Sequence, residues 1–233
     1  MLKIENLECG YGKLSVLKKV SLEIGDESVG LFGPNGAGKT TLIGAIMGMV
    51  RARGGSIEFD GTDITRHKTH EVARSGIALV PQERELFPGM SVADNLELGA
   101  AYIPAARDTK ERQLSFVLDL FPILKERYRQ LAGTMSGGQQ RQVAIARALM
   151  ANPRLLILDE PSLGLQPSIV TEVFEKLAEL KKTISILVTE QNVRESLKSV
   201  DRGYVLENGS IVLEDSSDGL HHNPHVISSY LGL

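Results

Sequence analysis

The stretch Gly33-Pro34-Asn35-Gly36-Ala37-Gly38-Lys39-Thr40-Thr41 sets glycines, a lysine and two hydroxyls side by side, directly after the apolar run Ser28–Phe32. Glycines at this density let a backbone curl until its N–H groups share one concavity. A helix starting at the lysine adds its own free N–H groups and its dipole. Such a nest holds phosphate oxygens. Gly33, Gly38, Lys39 and Thr40 have P-loop spacing, in which the lysine brings positive charge to the phosphates and the threonine a hydroxyl to Mg²⁺. The chemistry predicted is binding of a nucleoside triphosphate.

Turnover at such a site needs a metal ligand and a base for water. The apolar strand Leu155–Leu158 runs into Asp159-Glu160-Pro161, and the proline cannot extend a sheet ladder. Neighbouring strand residues face opposite ways, so the two carboxylates should do different work: Asp159 suits Mg²⁺, and Glu160 suits polarising the attacking water. A third motif is Met135-Ser136-Gly137-Gly138-Gln139-Gln140-Arg141. Ser136 with Gln139 reads as a capping box. Capping does not require Gly137 and Gly138, each of which costs up to about 1 kcal/mol against alanine in a helix. Bare backbone at a helix N-terminus is also a second phosphate-binding geometry. One triphosphate uses both sites only if the fold joins them or a second chain supplies one.

The elements that must position these motifs follow from hydrophobic period. Strands are predicted near Leu2–Leu7, Val20–Ile24, Ser28–Phe32, Ser56–Phe59, Ile77–Val80, Leu155–Leu158, Ile184–Val188, Tyr204–Glu207 and Ile211–Leu213. Helices are predicted over Lys39–Met49, Ser91–Ile103, Thr109–Phe121, Gly137–Met150, Pro167–Lys181 and Val193–Ser199. The fold class expected is α/β, a P-loop NTPase core made of residues 1–82 and 152–233, with a helical subdomain inserted at 83–151. Asn208-Gly209 between two strand-like runs signals a hairpin and an antiparallel portion.

Composition narrows the classes. With 233 residues, 42% of them hydrophobic and 24% charged, the chain can bury a sizeable core. Lys and Arg number 26 against 29 Asp and Glu, a net charge of -3, so no basic excess points to nucleic acid. One cysteine, Cys9, excludes an intramolecular disulfide framework. No apolar run approaches the roughly 20 residues needed to span a bilayer, and the N-terminal residues lack a signal-peptide layout, so a cytosolic chain is expected. His221, His222 and His225, like the pair His67 and His70, lack the spacing and partners of a metal site.

GPNGAGKTT, the MSGGQ stretch and LLILDEP, in that order, resemble the nucleotide-binding subunit of ATP-binding cassette (ABC) transporters over essentially the whole chain. The resemblance implies an ATPase using ATP and Mg²⁺, working as a head-to-tail pair in which the P-loop of one chain and Ser136, Gly137, Gly138 and Gln139 of the other sandwich the nucleotide. It also implies transmembrane permease subunits, a second ATPase subunit identical or related to this one, a solute-binding protein acting indirectly, and a place on the cytoplasmic face of the membrane. Residue by residue, it puts Tyr11 against adenine and Val16 on the sugar side, the competing reading of both being packing beside Leu14. Gln82 falls where a glutamine reaches Mg²⁺ and water. Ser162–Leu165 falls where a dimer-contact loop lies, with Leu165 in place of the usual aspartate. Gln191 stands where most of the family has a histidine contacting the γ-phosphate, and since glutamine cannot carry a proton, slower hydrolysis is expected.

Pro161–Pro167, Glu190-Gln191-Asn192, Arg202–Glu207 and Tyr230-Leu231-Gly232 resemble the branched-chain amino-acid importer ATPases, whereas Asn192-Val193-Arg194-Glu195 is nearer the lipopolysaccharide-export ATPases. Glu83–Tyr102, with Leu86, Phe87, Pro88 and Met90, is the expected docking surface for a membrane subunit. The alternatives are a lipid or lipopolysaccharide exporter ATPase, a soluble ABC ATPase outside transport, and a nucleotide sensor without turnover. Intact Lys39, Asp159 and Glu160 count against the last.

Overall fold

The computed structural model describes residues 1–191 and 193–231. Asn192 and Gly232, both part of the resemblance, lie outside the described residues. The chain opens with β1 (Leu2–Tyr11), β2 (Leu14–Ile24), β3 (Ser28–Phe32), α1 (Lys39–Ile46), β4 (Ala52–Phe59), β5 (Thr62–Asp63), α2 (Thr69–Arg74) and β6 (Ile77–Val80). A helical stretch follows: α3 (Val92–Ala101), α4 (Pro104–Arg107), α5 (Lys110–Leu120), α6 (Pro122–Glu126) and α7 (Gly137–Leu149). The remainder alternates again through β7 (Leu155–Asp159), α8 (Pro167–Leu180), β8 (Ser185–Glu190), α9 (Val193–Ser196), β9 (Arg202–Glu207), β10 (Ser210–Ser216), α10 (Ser217–His222) and α11 (Pro224–Val226).

Among the described residues these strands form two sheets, an antiparallel one ordered β2-β1-β4-β5 and a larger one ordered β10-β9-β3-β8-β7-β6. The larger sheet is parallel except for β10. Its inner strands are apolar on both faces, and the period-2 pleat divides them cleanly. Leu156, Leu158, Ile186 and Val188 enter the core built with α7 and α8, while Leu155, Ile157 and Leu187 enter the one built with α1 and the antiparallel sheet. Each such leucine contributes about 1.5–3 kcal/mol on burial, and a one-residue slip would exchange the two sets, so register is strongly specified.

Several boundaries differ from the sequence expectation, among them the ends of β1 (Tyr11, not Leu7), α9 (Ser196, not Ser199) and the start of β4 (Ala52, not Ser56), and two of the differences have clear local reasons. Strand β2 starts at Leu14 instead of Val20, because register shifts against β1 and a positive φ at Lys19 keep a polar, irregular hairpin paired where its alternation is broken. Helix α1 stops at Ile46 instead of Met49: Gly48 takes φ 69 and its N–H closes on the Ala45 carbonyl at 3.1 Å. Among the described residues no helix is long and apolar enough to cross a membrane.

Candidate functional site

The phosphate-binding loop is built from both ends of the chain. The fully buried β3 delivers Gly33 at φ 154, where an added Cβ would lie 2.2 Å from the Leu206 carbonyl oxygen of β9, so only glycine passes. The Gly209 N–H, at the tip of the β9–β10 hairpin, donates to the Ala37 carbonyl at 3.0 Å, and the Ala37 N–H donates to Pro34 at 3.2 Å. Helix α1 then begins with Gly38 as a cap that has no side-chain acceptor, and its first turn holds no acid. Among the described residues, the N–H groups of Gly36, Gly38, Lys39 and Thr40 have no protein acceptor. A row of free donors at an uncapped helix start fits phosphate oxygens.

This loop forms one side of a cavity of about 410 Å³, lined by Tyr11, Leu14, Val16, Pro34, Asn35, Gly36, Gly38, Lys39, Thr40, Thr41, Gln82 and Glu160. Residues chosen from three distant parts of the sequence therefore meet at one place. Tyr11 is 55% exposed beside it, an open aromatic face available for stacking. Buried Lys39 sends its ammonium to the Gly33 carbonyl at 2.7 Å, the Pro34 carbonyl at 3.2 Å and Glu160 Oε1 at 3.1 Å. The Gln82 amide nitrogen donates to Glu160 Oε2 at 3.5 Å.

Behind the cavity, Asp159 is buried and accepts the Thr189 hydroxyl at 2.6 Å. Glu160 does not continue the strand pleat: its φ of 45 turns the chain, and its side chain faces Lys39 and Gln82 while Asp159 faces β8. The two acids thus have separate partners, and the cause is a left-handed residue as well as alternation. Thr40 and Gln82 line the cavity while Asp159 does not, its carboxylate accepting from Thr189; these three oxygen donors could hold a magnesium ion, which when bound supplies positive charge to the phosphate oxygens. Gln191 is exposed and follows Glu190, whose backbone pairs with Phe32 just before the loop. The cavity lining includes neither Gln191 nor the Ser136–Gln139 turn.

That turn caps α7. The Ser136 Oγ accepts the Gln139 N–H at 3.4 Å, and the Ser136 N–H donates to Gln139 Oε1 at 3.1 Å. The glycines also have a packing cause, since a Cβ on Gly138 would lie 2.5 Å from Ile169 Cγ2. The same helix grips the loop after β6. Arg141, 1% exposed, donates to the Pro81 carbonyl at 3.0 Å and the Gln82 carbonyl at 2.8 Å, while its Nε has no partner among the described residues. Burial pulls its guanidinium below the ordinary value and Arg84 adds to this, with Glu190, Glu83 and Asp159 opposing. Further along, Arg147 donates to the Glu85 carbonyl at 2.9 Å and lies 5.8 Å from the Phe87 ring centroid.

Sequence reasoning gave no role to Arg141, Thr189 or Glu190 as single residues. The available signal was polarity inside apolar elements: an arginine within the predicted helix Gly137–Met150, and a threonine and a glutamate at the end of an apolar strand.

A parallel sheet whose first buried strand runs into a glycine nest, with a lysine and an acid-terminated strand facing it, defines a P-loop nucleotide-binding ATPase domain. The family profile described as "ABC transporter" matches residues 17–163. A "High-affinity branched-chain amino acid transport ATP-binding protein BraG" of Pseudomonas aeruginosa is 44% identical over 234 residues, covering 100% of both chains. A "Lipopolysaccharide export system ATP-binding protein LptB" of Acidithiobacillus ferridurans is 37% identical, covering 100% of this chain and 97% of its own. Among solved structures, the ADP conformation of MJ1267, an ATP-binding cassette of an ABC transporter, superposes with a TM-score of 0.85 at 31% identity, covering 100% of this chain and 99% of that one. The chain belongs to the ABC transporter family, as one of its ATP-hydrolysing cassettes, and its cofactors are ATP and Mg²⁺.

Proposed function

We propose that this cassette energises a transporter of branched-chain amino acids, pairing head to tail with a second ATPase subunit on the cytoplasmic face of the membrane. In this reading Lys39, the loop Gly33–Thr41 and Thr40 bind the triphosphate and its metal, with Asp159 and Gln82 completing the metal shell. Glu160 takes the proton of the attacking water, and Gln191 meets the γ-phosphate from the end of β8. Ser136–Gln139 would complete the site of the partner subunit, which explains why these residues stand apart from the cavity in a single chain. The observation that carries the reading is the meeting of Lys39, Gln82 and Glu160 at the P-loop in a chain that matches the Pseudomonas relative end to end.

In this reading the membrane partner docks on the 83–102 segment. A groove of about 580 Å³ is lined from both the 1–82 core and the 83–151 helices and includes Met49, Phe87, Leu98 and Tyr102, though not Leu86, Pro88 or Met90. Phe87 is 50% and Tyr102 77% exposed, an apolar surface suited to a short cytoplasmic segment of a permease. The groove adjoins the 81–88 loop that carries Gln82, so a docked segment and the nucleotide site share one backbone. A lipopolysaccharide-export role is the second reading, favoured by the 37% identical relative and by Val193-Arg194-Glu195.

The test is copurification of tagged Glu160→Gln chain from native membranes, followed by ATPase assays of the recovered wild-type complex with candidate solutes. Recovery of polytopic subunits and stimulation by branched-chain amino acids with their binding protein supports the importer. Recovery of lipopolysaccharide-binding partners selects the exporter, and recovery of only soluble complexes removes transport from the assignment.

A further inference from the structure

We propose that Glu190 is a positioning residue for ATP hydrolysis: it fastens the loop after Glu160 to the end of β8, holding the catalytic base and Ser162–Leu165 in one register. Glu190 is 2% exposed. The Ser162 N–H donates to its Oε1 at 2.9 Å and the Ser162 hydroxyl to its Oε2 at 2.9 Å. One residue earlier, the Glu160 N–H reaches the Thr189 carbonyl at 3.1 Å and the Thr189 hydroxyl at 3.2 Å. Two consecutive residues of β8 thereby hold Asp159, Glu160 and Ser162 from behind.

Glu160 requires such support. At φ 45 it sits in a left-handed conformation that a residue with a side chain keeps only where its surroundings over-determine it. Burying a carboxylate is costly unless it is hydrogen-bonded and charge-compensated, so a glutamate with only a space-filling role would be a poor choice here. Glu190 has both forms of compensation, the two Ser162 donors and the positive field of Arg141. A carboxylate offers two acceptor oxygens to two donors of a single residue, a match that clamps that residue's backbone and side chain together. Since Glu190 is also the neighbour of Gln191, a change at the γ-phosphate end of β8 reaches the 162–165 loop through one buried side chain. That last consequence rests on the proposed placing of Gln191 and of the loop at a dimer contact; the positioning of Glu160 does not.

The test is steady-state ATPase kinetics of the full-length chain, with nucleotide binding measured separately. Loss of alignment without loss of contact with nucleotide predicts that Glu190→Ala lowers kcat about tenfold or more while KM for ATP stays within about twofold. Ser162→Ala should lower kcat by about threefold or more, and the double variant should be no slower than Glu190→Ala, because the two residues act as one unit. Glu190→Gln can keep the Ser162 N–H on its oxygen and turn the hydroxyl from donor to acceptor, so it should recover most of the rate. Ser162 is only partly buried, and Ser162→Ala therefore tests the idea even if Glu190→Ala fails to fold. A wild-type rate for Ser162→Ala, additive effects in the double variant, or a raised KM with unchanged kcat would each overturn the proposal. A wild-type chain that binds no ATP would instead sink the cassette assignment.

Discussion

Lys39 and Glu160 form a buried ion pair, so in the proposed reading the base for water is held by the cation for phosphate. On that reading a phosphate oxygen arriving in the loop would compete for the ammonium and free the carboxylate, coupling nucleotide arrival to readiness for hydrolysis. Glu160→Gln should therefore lower kcat by about 10²–10⁴-fold, the usual worth of general-base catalysis, while ATP binding is kept. Rapid-quench turnover with parallel equilibrium binding checks this, and near-normal turnover would remove Glu160 from the chemistry. At this scale the sequence was informative where function needs a contiguous run, as in Gly33–Thr41 or Asp159-Glu160. It was silent where partners are brought together by the fold. Glu190 and Ser162, or Arg141 and Pro81, are far apart in sequence, and nothing local marks one as the other's acceptor.

Helix α7 acts on the nucleotide site by gripping the loop after β6. Arg141 holds the Pro81 and Gln82 carbonyls, and Arg147 holds Glu85 and covers Phe87, so Gln82 is tied to the helix that carries Ser136–Gln139. Arg141→Met keeps most of the side-chain volume but leaves two carbonyls without donors. It should cost about 1–3 kcal/mol of stability, partly offset by removing a buried charge, and should increase hydrogen exchange across residues 81–88. Unchanged exchange in that segment would show that packing alone holds the loop. A second elemental link joins the C-terminal segment to the core: Tyr230 and His225 reach Glu207 Oε1 at 2.6 and 2.7 Å. The Tyr230 hydroxyl, then His225, hold the Glu207 carboxyl below its ordinary value, and burial together with Glu207 pushes the Tyr230 hydroxyl above its own. A depressed acid stabilises the fold above its unfolded pKa and loses that contribution as pH falls. A raised phenol stabilises it below its unfolded pKa and loses that contribution as pH rises. The Tyr230–Glu207 hydrogen bond therefore contributes fully only between about pH 4.3 and about pH 10. Denaturant titrations of wild type and Tyr230→Phe should differ inside this window and converge below it. The inner strands and long helices were legible because apolar periodicity is a local property. The outer part of the β1–β2 hairpin was not, since pairing rather than alternation keeps it extended.

Taken as a whole, the molecule builds its phosphate-binding loop from distant parts of the sequence. Strand β3, which ends at Phe32 just before Gly33, has β8 on one side and β9 on the other, and the tip of the β9–β10 hairpin bonds to Ala37. This order was beyond sequence reading, because equally apolar strands carry no label for their neighbours. It has a consequence for biosynthesis. When β3 leaves the ribosome neither of its neighbours exists, and at about 5–20 residues per second its partners emerge roughly 10–35 s later. During that interval an apolar strand with two open edges is exposed, and closing it requires contacts of long sequence separation, which form slowly. Nascent chains arrested before Ser185 should bind no ATP analogue, and those arrested once the β9–β10 hairpin has cleared the exit tunnel should bind it. Nucleotide capture by the shorter chains would show that the loop assembles without its flanking strands. The P-loop is encoded at residues 33–41 and braced by strands at 185–216, so on this prediction a prematurely terminated product would carry the motif without consuming the cell's ATP.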